Sequence, residues 1–460
     1  MDGLGAYRER KVGVLGLGRS GRAVARALAT RGADVILFDD DPGTVARALE
    51  TGGRAGKPEN LADLALLVVS PGVPLTHPAP HPLITAARSR SLPIAGDIEL
   101  FAATYPETFL IGVTGTNGKS TTTALIAHIL AEAGLPATAA GNIGRPVFDL
   151  EPAAGDILVL ELSSFQLELC RSLRCRIAVW LNLEPDHLDR HGDLEGYIAA
   201  KRRLFAGQRT GDRAVIAIDD PVSRALAGEL EAAGRSVTRV SGVSVEADVG
   251  VEDDRLVERI AGETRRIADL SRLAGLRGTH NRQNAAAAFA VARLLEVPAD
   301  QVAEALAGFP GLPHRMQEVG RLGRVRFVND SKATNPAAAG RSLASFSDIY
   351  WIAGGRPKPG GFQALQPHLG NVRKAFLIGE AAEELAGFLA DRVPVERVGE
   401  LGEAVSAATT AARASDAAEP VVLLAPACAS FDQFPDFEAR GRAFAAHVAA
   451  LATPAAGGVS

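Results

Sequence analysis

Short apolar runs alternate with alanine-rich stretches of helical character along most of the chain. Uninterrupted apolar strands of this length are typical of parallel sheets that are covered on both faces. The alternation of such strands with helices predicts doubly wound α/β domains. The runs that predict strands are residues 12–15, 35–38, 66–69, 109–113, 157–160, 177–181 and 214–218.

Two breaks in this pattern indicate domain boundaries. One is a proline-rich stretch at 71–93, and the other is Phe309-Pro310-Gly311-Leu312-Pro313. We expect a first domain at 1–97, a middle domain at 98–311 and a last domain at 312–460, which suits a length of 460 residues. Within the middle domain, residues 241–274 alternate and are rich in charge, which predicts a β-rich insertion.

The composition and charge of the chain exclude several classes of binding partner and cellular location. The chain is 47% hydrophobic and 22% charged, with a net charge of -5 and without an evident basic face, so we expect no nucleic-acid partner. No apolar run approaches the roughly 20 residues of a membrane span. The first residues lack a secretory pattern, and the three cysteines are too few for a disulfide framework. We therefore expect a cytoplasmic protein.

The first glycine-rich segment is Gly16-Leu17-Gly18-Arg19-Ser20-Gly21, between strand 12–15 and a predicted helix at 22–30. Glycines let the backbone approach a pyrophosphate, and the start of a helix offers free N–H groups. Asp39 ends the next predicted strand and could hold ribose hydroxyls. The pattern leaves open a nicotinamide dinucleotide, a UDP-sugar and a packing turn that binds no ligand.

The second glycine-rich segment follows strand 109–113 and precedes a predicted helix from Thr122 to about Ala133. Its residues are Thr114, Gly115, Thr116, Asn117, Gly118, Lys119, Ser120 and Thr121. Backbone N–H groups would wrap phosphates, Lys119 would reach the outer ones, and Ser120 or Thr121 could take a magnesium position. Val113 stands where the strict P-loop pattern has glycine. Because the helix dipole disfavours lysine at this position, a triphosphate ligand is the better explanation.

Further motifs in the same order resemble the Mur ligase family, a group that also resembles folylpolyglutamate synthetases. The motifs are Gly141-Asn142-Ile143-Gly144, Glu161-Leu162-Ser163-Ser164-Phe165-Gln166, Asn182 to His187, Lys201, His280 to Asn284 and His314-Arg315. The resemblance spans essentially the full chain. It implies a Rossmann-like first domain that binds a UDP-sugar, a P-loop-type central ATPase domain with a mostly parallel sheet, and a Rossmann-like last domain that binds an amino acid.

The resemblance also implies an activity. Members form an amide by phosphorylating a carboxylate with ATP and displacing phosphate with an amine. Residues 329–336 and 426–434 resemble the branch that adds D-glutamate to UDP-N-acetylmuramoyl-L-alanine in peptidoglycan precursor synthesis. The alternatives are a sibling ligase that adds another amino acid, a folylpolyglutamate-type ligase, a nicotinamide-dependent oxidoreductase and a nucleotide-switched binding module without catalysis.

Metal ligands are expected in the middle domain. Glu161 follows strand 157–160 and can hold Mg²⁺ there, although a capping or surface glutamate would give the same pattern. By resemblance, His187 binds a second Mg²⁺, and Lys201 is carbamylated, which would turn a cation into an anionic oxygen ligand. With Ser120 these residues complete the implied metal set, so two Mg²⁺ ions are expected. The implied catalytic residues are Lys119, His187, Lys201 and Lys332.

Other side chains are implied substrate contacts. Contacts to ATP beyond the second glycine-rich segment are implied for Asn281, Asn284, Arg315 and Asp330. Contacts to the UDP-sugar are implied for Arg19, Ser20, Asp39, Asp40, Gly72, Asn142 and His187, with ATP as an alternative ligand for Asn142. The D-glutamate pocket is implied for Thr334, Lys358, Ser430 and Phe437. Pro357 and Pro359 beside Lys358 depart from the family pattern. We expect a monomer that closes on its substrates.

Overall fold

The computed structural model describes residues 2–243, 246–260, 262–273, 276, 280–358 and 360–452. Contacts divide the chain into two compact units, Met1–Phe309 and Pro310–Ser460, each of which is described by itself. The first unit contains two sheets and the second contains one. The expected boundary near residue 311 lies beside the division between the units, and the one near residue 97 falls inside the first unit. Both boundaries stay predictions.

The first sheet is built from five strands and is followed by the first helices. The strands are β1 Lys11–Leu15, β2 Asp34–Phe38, β3 Arg54–Ala55, β4 Leu66–Val69 and β5 Ile94–Ala95. The helices are α1 Arg19–Thr30, α2 Pro42–Ala48, α3 Pro82–Ser89 and α4 Asp97–Thr104. All pairs are parallel, in the order β3-β2-β1-β4-β5. Helix α1 begins earlier than the predicted 22–30 because extended Gly18 already caps it, which places Gly21 inside the helix.

The second sheet has nine strands. They are β6 Phe109–Thr114, β7 Ala137–Gly141, β8 Ile157–Glu161, β9 Ile177–Trp180, β10 Arg213–Ala217, β11 Ser236–Val240, β12 Val249–Glu252, β13 Arg255–Ile260 and β14 Glu263–Asp269. The helices are α5 Lys119–Glu132, α6 Ser164–Glu168, α7 Leu188–His191, α8 Leu194–Arg202, α9 Pro221–Ala232, α10 His280–Leu294 and α11 Ala299–Gly308. The order is β14-β13-β12-β11-β10-β9-β6-β8-β7. Only β12-β13 and β13-β14 pair antiparallel, which confirms the β-rich insertion within the described part of that segment.

The second sheet is covered on both faces, as its apolar strands predicted. Along β6, Ile111 packs into one buried cluster with Leu125 and Phe289, whereas Leu110 packs into the opposite cluster with Trp180. This division follows from the two-residue period of a strand. Strand ends are also aligned, because Val113 pairs with Glu161 and Thr114 pairs with Trp180. The loops that follow β6, β8 and β9 therefore meet at one edge.

The third sheet has six strands. They are β15 Gln317–Leu322, β16 Val325–Asn329, β17 Ile349–Gly354, β18 Val372–Ile378, β19 Val395–Gly399 and β20 Val421–Leu424. The helices are α12 Pro336–Leu343, α13 Ala382–Leu389, α14 Leu401–Ala414 and α15 Phe437–Ala452. The order is β15-β16-β20-β17-β18-β19, with only β15 antiparallel to its neighbour. Leu424 pairs with both Asn329 and Ile352, so the loops after β16, β17 and β20 lie side by side.

Short 3-10 helices connect several of these elements. They are Leu4–Tyr7, Leu49–Thr51, Pro58–Asp63, Val147–Asp149, Arg203–Phe205, Leu270–Arg272 and Gln363–Asn371. Ranges predicted as strands match β1, β2, β4, β6, β8, β9 and β10 to within one residue at either end. The predicted α/β class with mostly parallel sheets is confirmed.

Candidate active site

The loop after β6 is fixed by residues that follow the two neighbouring strands. Thr114 donates its hydroxyl to the Leu162 carbonyl at 2.8 Å, on the β8 side. On the β9 side, the Asn117 N–H donates to Asn182 Oδ1 at 2.8 Å, and the Thr116 N–H donates to the Asn182 carbonyl at 2.9 Å. These bonds hold the loop open as a backbone cradle in front of α5, whose first residue is Lys119.

Two lysine ammonium groups converge on this loop. Lys119 Nζ donates to the carbonyls of Gly115 at 2.9 Å and Thr116 at 2.8 Å. Lys201 Nζ, from α8, donates to the same Gly115 carbonyl at 2.7 Å. Lys201 is 1% exposed. Its burial, and next the charge of Lys119, lower the pKa of Lys201 to about 6. Lys201 is therefore largely a neutral amine at pH 7, which is the form that reacts with carbon dioxide.

A buried carboxylate lies beside the same loop. Glu161 is the last residue of β8 and is 2% exposed. Its Oε1 accepts from Asn142 Nδ2 at 3.0 Å, whereas its Oε2 is buried without a hydrogen-bond partner in the described structure. A buried oxygen of this kind is costly unless a donor or a cation meets it. Carboxylate oxygen is a preferred ligand of Mg²⁺, so Glu161 fits the implied metal.

Most other ligands of a Mg²⁺ ion at Glu161 would be phosphate oxygens and water. Across the described ranges, no group of three His, Cys, Asp or Glu side chains is arranged to hold a metal ion. Mg²⁺ in phosphoryl-transfer sites is commonly held by one or two carboxylates with phosphate oxygens and water. One buried carboxylate beside a phosphate cradle is consistent with that mode.

The structure places His187 at the rim of this region. His187 has a left-handed backbone with φ 53° and caps α7. Its side chain is 49% exposed, with Nε2 at 3.4 Å from Asp186 Oδ2. Its ring centroid lies 4.9 Å from that of Phe165. This histidine is therefore accessible to a ligand, unlike a histidine that packs in a core.

His191, which the sequence did not single out, behaves differently from His187. It is 8% exposed, and its Nε2 lies 3.0 Å from the Ser164 hydroxyl. Burial, and next the charge of Arg190, lower the pKa of His191 to about 4. His191 is therefore neutral at pH 7 and supports the packing behind the site.

The two predicted asparagines pack against the phosphate cradle. Asn284 is 1% exposed, accepts from the Thr122 hydroxyl at 3.1 Å and donates to Asn281 Oδ1 at 2.9 Å. A Cβ added to Gly118 would lie 2.3 Å from Asn284 Oδ1, at a backbone φ of +83°. Glycine is thus required at position 118 by both conformation and contact.

Ser120 and Thr121 lie in the first turn of α5, where the hydroxyl of one can approach a phosphate-bound cation.

The first glycine-rich segment uses its polar groups internally. Ser70 donates its hydroxyl to the Gly16 carbonyl at 2.6 Å. Asp39, proposed above to hold ribose, accepts instead from the Leu17 N–H at 2.7 Å and from the Asp41 N–H at 3.1 Å. One carboxylate oxygen of Asp39 thus holds the glycine-rich loop, and the other fixes the turn that follows β2. The sequence could not reveal this use, because the acid and the loop it braces are separated by α1.

Asp40 is oriented toward solvent. Its side chain is 88% exposed, and its Oδ1 lies 3.1 Å from His81 Nε2. His81 Nδ1 accepts from the Leu83 N–H at 3.1 Å, so the proton of a neutral ring is on Nε2, facing Asp40. Asp40 is therefore a better candidate than Asp39 for meeting a ligand of the first sheet.

Two glycines in loops beside the first sheet have room for a larger side chain. A Cβ at Gly18 or Gly72 would meet nothing within 4 Å, whereas one at Gly21 would lie 1.9 Å from the Gly16 carbonyl. Open space at Gly18 matches the role of a glycine that lets a pyrophosphate approach the backbone. Gly72 is equally open. These two positions are consistent with a bound UDP-sugar.

Arg19 and Ser20 are both engaged in the first unit. Arg19 Nη2 donates to the Gly144 carbonyl at 2.7 Å, which links α1 to the loop that carries Asn142. Ser20 bonds to Asp97, a carboxyl that is buried at the start of α4 and that the sequence did not single out. Burial raises the pKa of Asp97. Ser20 and Arg19 thus have structural partners in addition to their proposed ligand.

The second unit gathers its predicted residues at the shared edge of its sheet. Asp330 is 6% exposed and accepts from the Ser342 hydroxyl and from the Met316 N–H. Burial is the main cause that raises the pKa of Asp330, and Arg315 acts in the opposite direction. The Lys332 ammonium lies 4.0 Å from the centre of the Phe437 ring.

The remaining predicted pocket residues follow neighbouring strands of this sheet. Ser430 is buried in the loop after β20, Lys358 is exposed in the loop after β17, and Thr334 is half-buried after β16. Pro357 is half-buried, and Pro359 lies outside the described residues. The topology therefore brings these loops to one edge, as a pocket requires.

Comparison with known proteins identifies the family. Residues 113–292 match the Mur ligase middle domain, and residues 314–428 match the Mur ligase glutamate ligase domain. Proteins named UDP-N-acetylmuramoylalanine--D-glutamate ligase from Rhizobium johnstonii and Rhizobium etli are each 49% identical, over 96% of this chain and 96% of their own. One of the same name from Caulobacter sp. strain K31 is 47% identical over 98% of both chains. The chain belongs to the Mur ligase family.

Solved Mur ligase structures share the fold. The UDP-N-acetylmuramate-alanine ligase from Thermotoga maritima superposes with a TM-score of 0.57 at 20% identity, over 96% of this chain and 99% of its own. MurF from Acinetobacter baumannii gives a TM-score of 0.57 at 17% identity, over 85% of this chain and 87% of its own. The predicted three-domain α/β architecture is confirmed.

Membership in the Mur ligase family decides between the classes of enzyme that the glycine-rich segments left open. A Mur ligase is an ATP-dependent, amide-bond-forming ligase, so the predicted enzyme class is confirmed and the nicotinamide-dependent oxidoreductase is set aside. The first segment alone could not settle this question, since a UDP-sugar and a dinucleotide present the same groups. None of the helices that the structure describes is long and apolar enough to cross a membrane.

Two further residues of this Mur ligase support the site and were not predicted. Tyr197 lies with its hydroxyl 3.2 Å from that of Thr116 and its ring centre 4.6 Å from Lys201 Nζ. Asn182 Nδ2 donates to Gln283 Oε1 at 2.7 Å, which ties the phosphate cradle to α10. A signal existed for Asn182, which begins one of the motifs that carried the family resemblance, whereas Tyr197 lies one helical turn before Lys201 and outside those motifs.

Proposed function

We propose that this Mur ligase joins D-glutamate to UDP-N-acetylmuramoyl-L-alanine, with conversion of ATP to ADP and phosphate, in peptidoglycan precursor synthesis. One observation carries the proposal. It is the 49% identity, over 96% of each chain, with proteins named for that reaction. The arrangement of Lys119, Lys201 and Glu161 around one glycine loop supports it, because these are the charges that phosphorylation of a carboxylate needs.

The proposed reaction has two displacements. A carboxylate oxygen of the alanyl group attacks the γ-phosphorus of ATP, and the bond to the ADP oxygen breaks, which gives an acyl phosphate and ADP. The amine of D-glutamate then attacks the acyl carbon, loses a proton and expels phosphate. Lys119, held over the loop at 2.8 and 2.9 Å from two carbonyls, would turn toward the outer phosphates and stabilise their charge. We assign Lys332 to the transferred phosphoryl group.

We propose two Mg²⁺ ions. Glu161 Oε2 and the Ser120 hydroxyl would hold one, and His187 with carbamylated Lys201 would hold the other. Carbamylation joins Lys201 Nζ to the carbon of carbon dioxide and releases a proton, and the pKa of about 6 keeps the amine in its reactive neutral form. When bound, Mg²⁺ supplies neutralisation of the charge that develops on the phosphate oxygens.

The remaining substrate contacts stay proposals on the family pattern. For ATP they are Thr114 to Thr121, Asn281, Asn284, Arg315 and Asp330. For the UDP-sugar they are Arg19, Ser20, Asp39, Asp40, Gly72, Asn142 and His187. For D-glutamate they are Thr334, Lys358, Ser430 and Phe437. We further propose that the protein is cytoplasmic, since its three cysteines are free and buried. The expected monomeric state stays a prediction.

Phosphate release tests the substrate assignment directly. The protein is supplied with Mg²⁺, ATP and UDP-N-acetylmuramoyl-L-alanine, and a panel of amino acids is added one at a time. We expect release that depends on all components and is fastest with D-glutamate. Turnover with L-glutamate, L-lysine or glycine and none with D-glutamate would assign the chain to a sibling reaction. UDP-N-acetylmuramate without alanine is the matched control for the acceptor.

A further inference from the structure

A charged side chain is buried behind the predicted amino-acid pocket of the second unit. Arg440 lies in the first turn of α15 and is 1% exposed. Its Nε donates to the Ser331 hydroxyl at 3.0 Å, and its Nη2 donates to the carbonyls of Ser331 at 3.1 Å and Cys428 at 3.2 Å. Its Nη1 donates to the carbonyls of Ala429 at 3.3 Å and Gly354 at 3.5 Å. One guanidinium thus binds three separate loops.

The bonding of Arg440 differs from that of an ordinary buried arginine. In the part of the chain that the structure describes, no carboxylate forms an ion pair with it. Burial lowers the pKa of Arg440 to about 10, so the group remains protonated at neutral pH. Burying a charge is costly, and here every hydrogen bond that compensates it goes to a neutral oxygen, while the charge of Asp432 acts on the guanidinium without forming an ion pair. A position chosen only for packing would more readily hold an apolar side chain of similar length.

Each loop that Arg440 binds carries a residue of the proposed pocket. Ser331 lies three residues before Thr334, and Ala429 directly precedes Ser430. Gly354 ends β17, four residues before Lys358. Phe437, the fourth pocket residue, begins the helix from which Arg440 projects. The guanidinium is therefore the shared support of groups that come from distant parts of the sequence.

The backbone around Arg440 is shaped to let these segments approach. A Cβ at Gly355 would lie 2.2 Å from the Ala429 carbonyl and 3.0 Å from Arg440 Nη1, at a φ of +129°. A Cβ at Gly441 would lie 2.3 Å from His314 Nδ1. Asn329 Nδ2 also donates to the Gly441 carbonyl at 2.9 Å. On the other side of Arg440, the Ser331 hydroxyl donates to the Phe437 carbonyl at 2.8 Å, so the start of α15 is joined to the end of β16 and to the loop after it on both sides of Arg440.

We propose that Arg440 is a positioning residue that sets the spacing of the three loops and so holds the amino-acid substrate's two carboxylates in place. The inference rests on the proposed function. Arg440 itself is too buried to be assigned a substrate contact. Loss of the shared support would let Thr334, Lys358 and Ser430 move relative to one another. Misplacement of a positioned group by about 1 Å can cost an enzyme about a hundredfold in efficiency. Because the groups displaced here are proposed to bind the amino acid, the loss should include its KM.

Steady-state kinetics of Arg440→Met and Arg440→Lys test the proposal. We expect the KM for D-glutamate to rise at least about tenfold while the KM for the UDP-linked substrate stays within about twofold, since that substrate's proposed contacts lie in the first unit. Arg440→Lys keeps the charge but has three donors in place of five, so it should fall between the wild type and Arg440→Met. Arg442→Met, on the same helix but exposed, is the matched control and should match the wild type.

Guanidinium rescue distinguishes positioning from general destabilisation. Added guanidinium should lower the KM for D-glutamate of an Arg440→Ala variant and leave that of Arg440→Lys unchanged. A uniform fall in kcat with every KM unchanged, in the variants that fold, would overturn the proposal. Where Arg440→Met does not fold, Arg440→Lys decides between these results. Absence of D-glutamate turnover in the wild type would instead refute the proposed function.

Discussion

The two glycine-rich segments of the first unit look alike in sequence and differ in what surrounds them. Around Gly16 to Gly21, the nearby acid braces the loop, because Asp39 accepts from the Leu17 N–H. Around Gly115 to Gly118, two lysines converge on one carbonyl, and the nearby Glu161 keeps a buried oxygen without a partner. The first loop therefore uses its nearby acid for its own structure, whereas beside the second loop a buried carboxylate oxygen stays available to a cation.

This difference explains why glycine patterns are weak guides to chemistry. Glycines allow phosphate to approach a backbone in both loops. The charges placed beside the loop decide whether phosphate is merely bound or is transferred. A group with an unmet electrostatic requirement, such as Glu161 Oε2, marks the reactive loop. Substitutions in the two loops should accordingly have effects of different size and kind.

The largest effect is expected from Lys119→Met. The substitution removes the ammonium group over the second loop while keeping the length of the side chain. We expect kcat to fall on the order of a thousandfold, as when a transition-state charge loses its main donor. Phosphate release at saturating substrates measures this. Lys57→Met, at an exposed lysine of the first sheet, should match the wild type. Retention of more than about a tenth of the activity would remove Lys119 from phosphoryl transfer.

A smaller effect is expected from Glu161→Gln. The amide is isosteric, so the bond from Asn142 to Oε1 can persist, but the negative charge at Oε2 is lost. We expect about a hundredfold lower activity and a higher Mg²⁺ concentration for half-maximal rate. Titration with Mg²⁺ at fixed ATP gives both quantities. The control is Glu151→Gln, an exposed glutamate near the start of β8. An unchanged Mg²⁺ dependence would contradict the metal role.

The burial of Lys201 predicts a pH-dependent stability. Its pKa is about 6 in the folded chain and about 10.4 in an unfolded one. Between these values the unfolded state binds more protons, so the wild type gains stability as pH rises. Lys201→Met lacks this gain. The free energy of unfolding of the variant, relative to that of the wild type, should therefore fall by about 1.4 kcal/mol per pH unit.

Urea unfolding in buffer free of carbon dioxide, at about pH 7 and about pH 9, measures the effect within the window set by the two pKa values. Omission of carbon dioxide keeps the wild-type lysine unmodified. Lys57→Met controls for loss of an exposed lysine. An equal stability difference between Lys201→Met and the wild type at both pH values would show that Lys201 titrates normally.

The smallest effect is expected in the first loop, from Gly18→Ala. The added methyl group meets nothing within 4 Å, so the melting temperature should not change. Because the methyl would occupy space proposed for the diphosphate, we expect the KM for the UDP-linked substrate to rise a few-fold and the KM for ATP to stay constant. Gly134→Ala tests whether alanine is otherwise harmless at an open glycine, although its φ of +80° adds strain. Unchanged KM values in Gly18→Ala would place the diphosphate elsewhere.

Much of the fold was predictable because a strand in a sheet that is buried on both faces must be apolar at every position. Strands such as β6 and β8 must be apolar throughout, and their ends are marked by polar residues at the sheet edge. Glycines of the second loop were also informative, since Gly118 combines a left-handed backbone with a close contact. These signals are local, and a sequence carries local signals well.

The parts that the sequence missed depend on distant segments meeting. Asp39 gave no sign that it braces Leu17, because that partner lies on the other side of α1. Arg440 sits in a polar stretch and would be interpreted as a solvent-facing helical arginine, yet it is buried by the loops after β16, β17 and β20. These contacts form only when segments that are distant in the sequence meet in the folded chain. The spacing of residues and the composition of the sequence therefore do not indicate them.

Transfer of a phosphoryl group to the acceptor carboxylate at the second loop is the central step of the proposed reaction. UDP-N-acetylmuramoyl-L-alanine with ¹⁸O at both oxygens of its alanyl carboxylate tests this directly, with mass spectrometry of the phosphate released during synthesis of the D-glutamate product. We predict one ¹⁸O atom in the phosphate for each labelled carboxylate consumed, because the bridging oxygen leaves with phosphorus. Unlabelled phosphate formed together with the amide product would contradict the account.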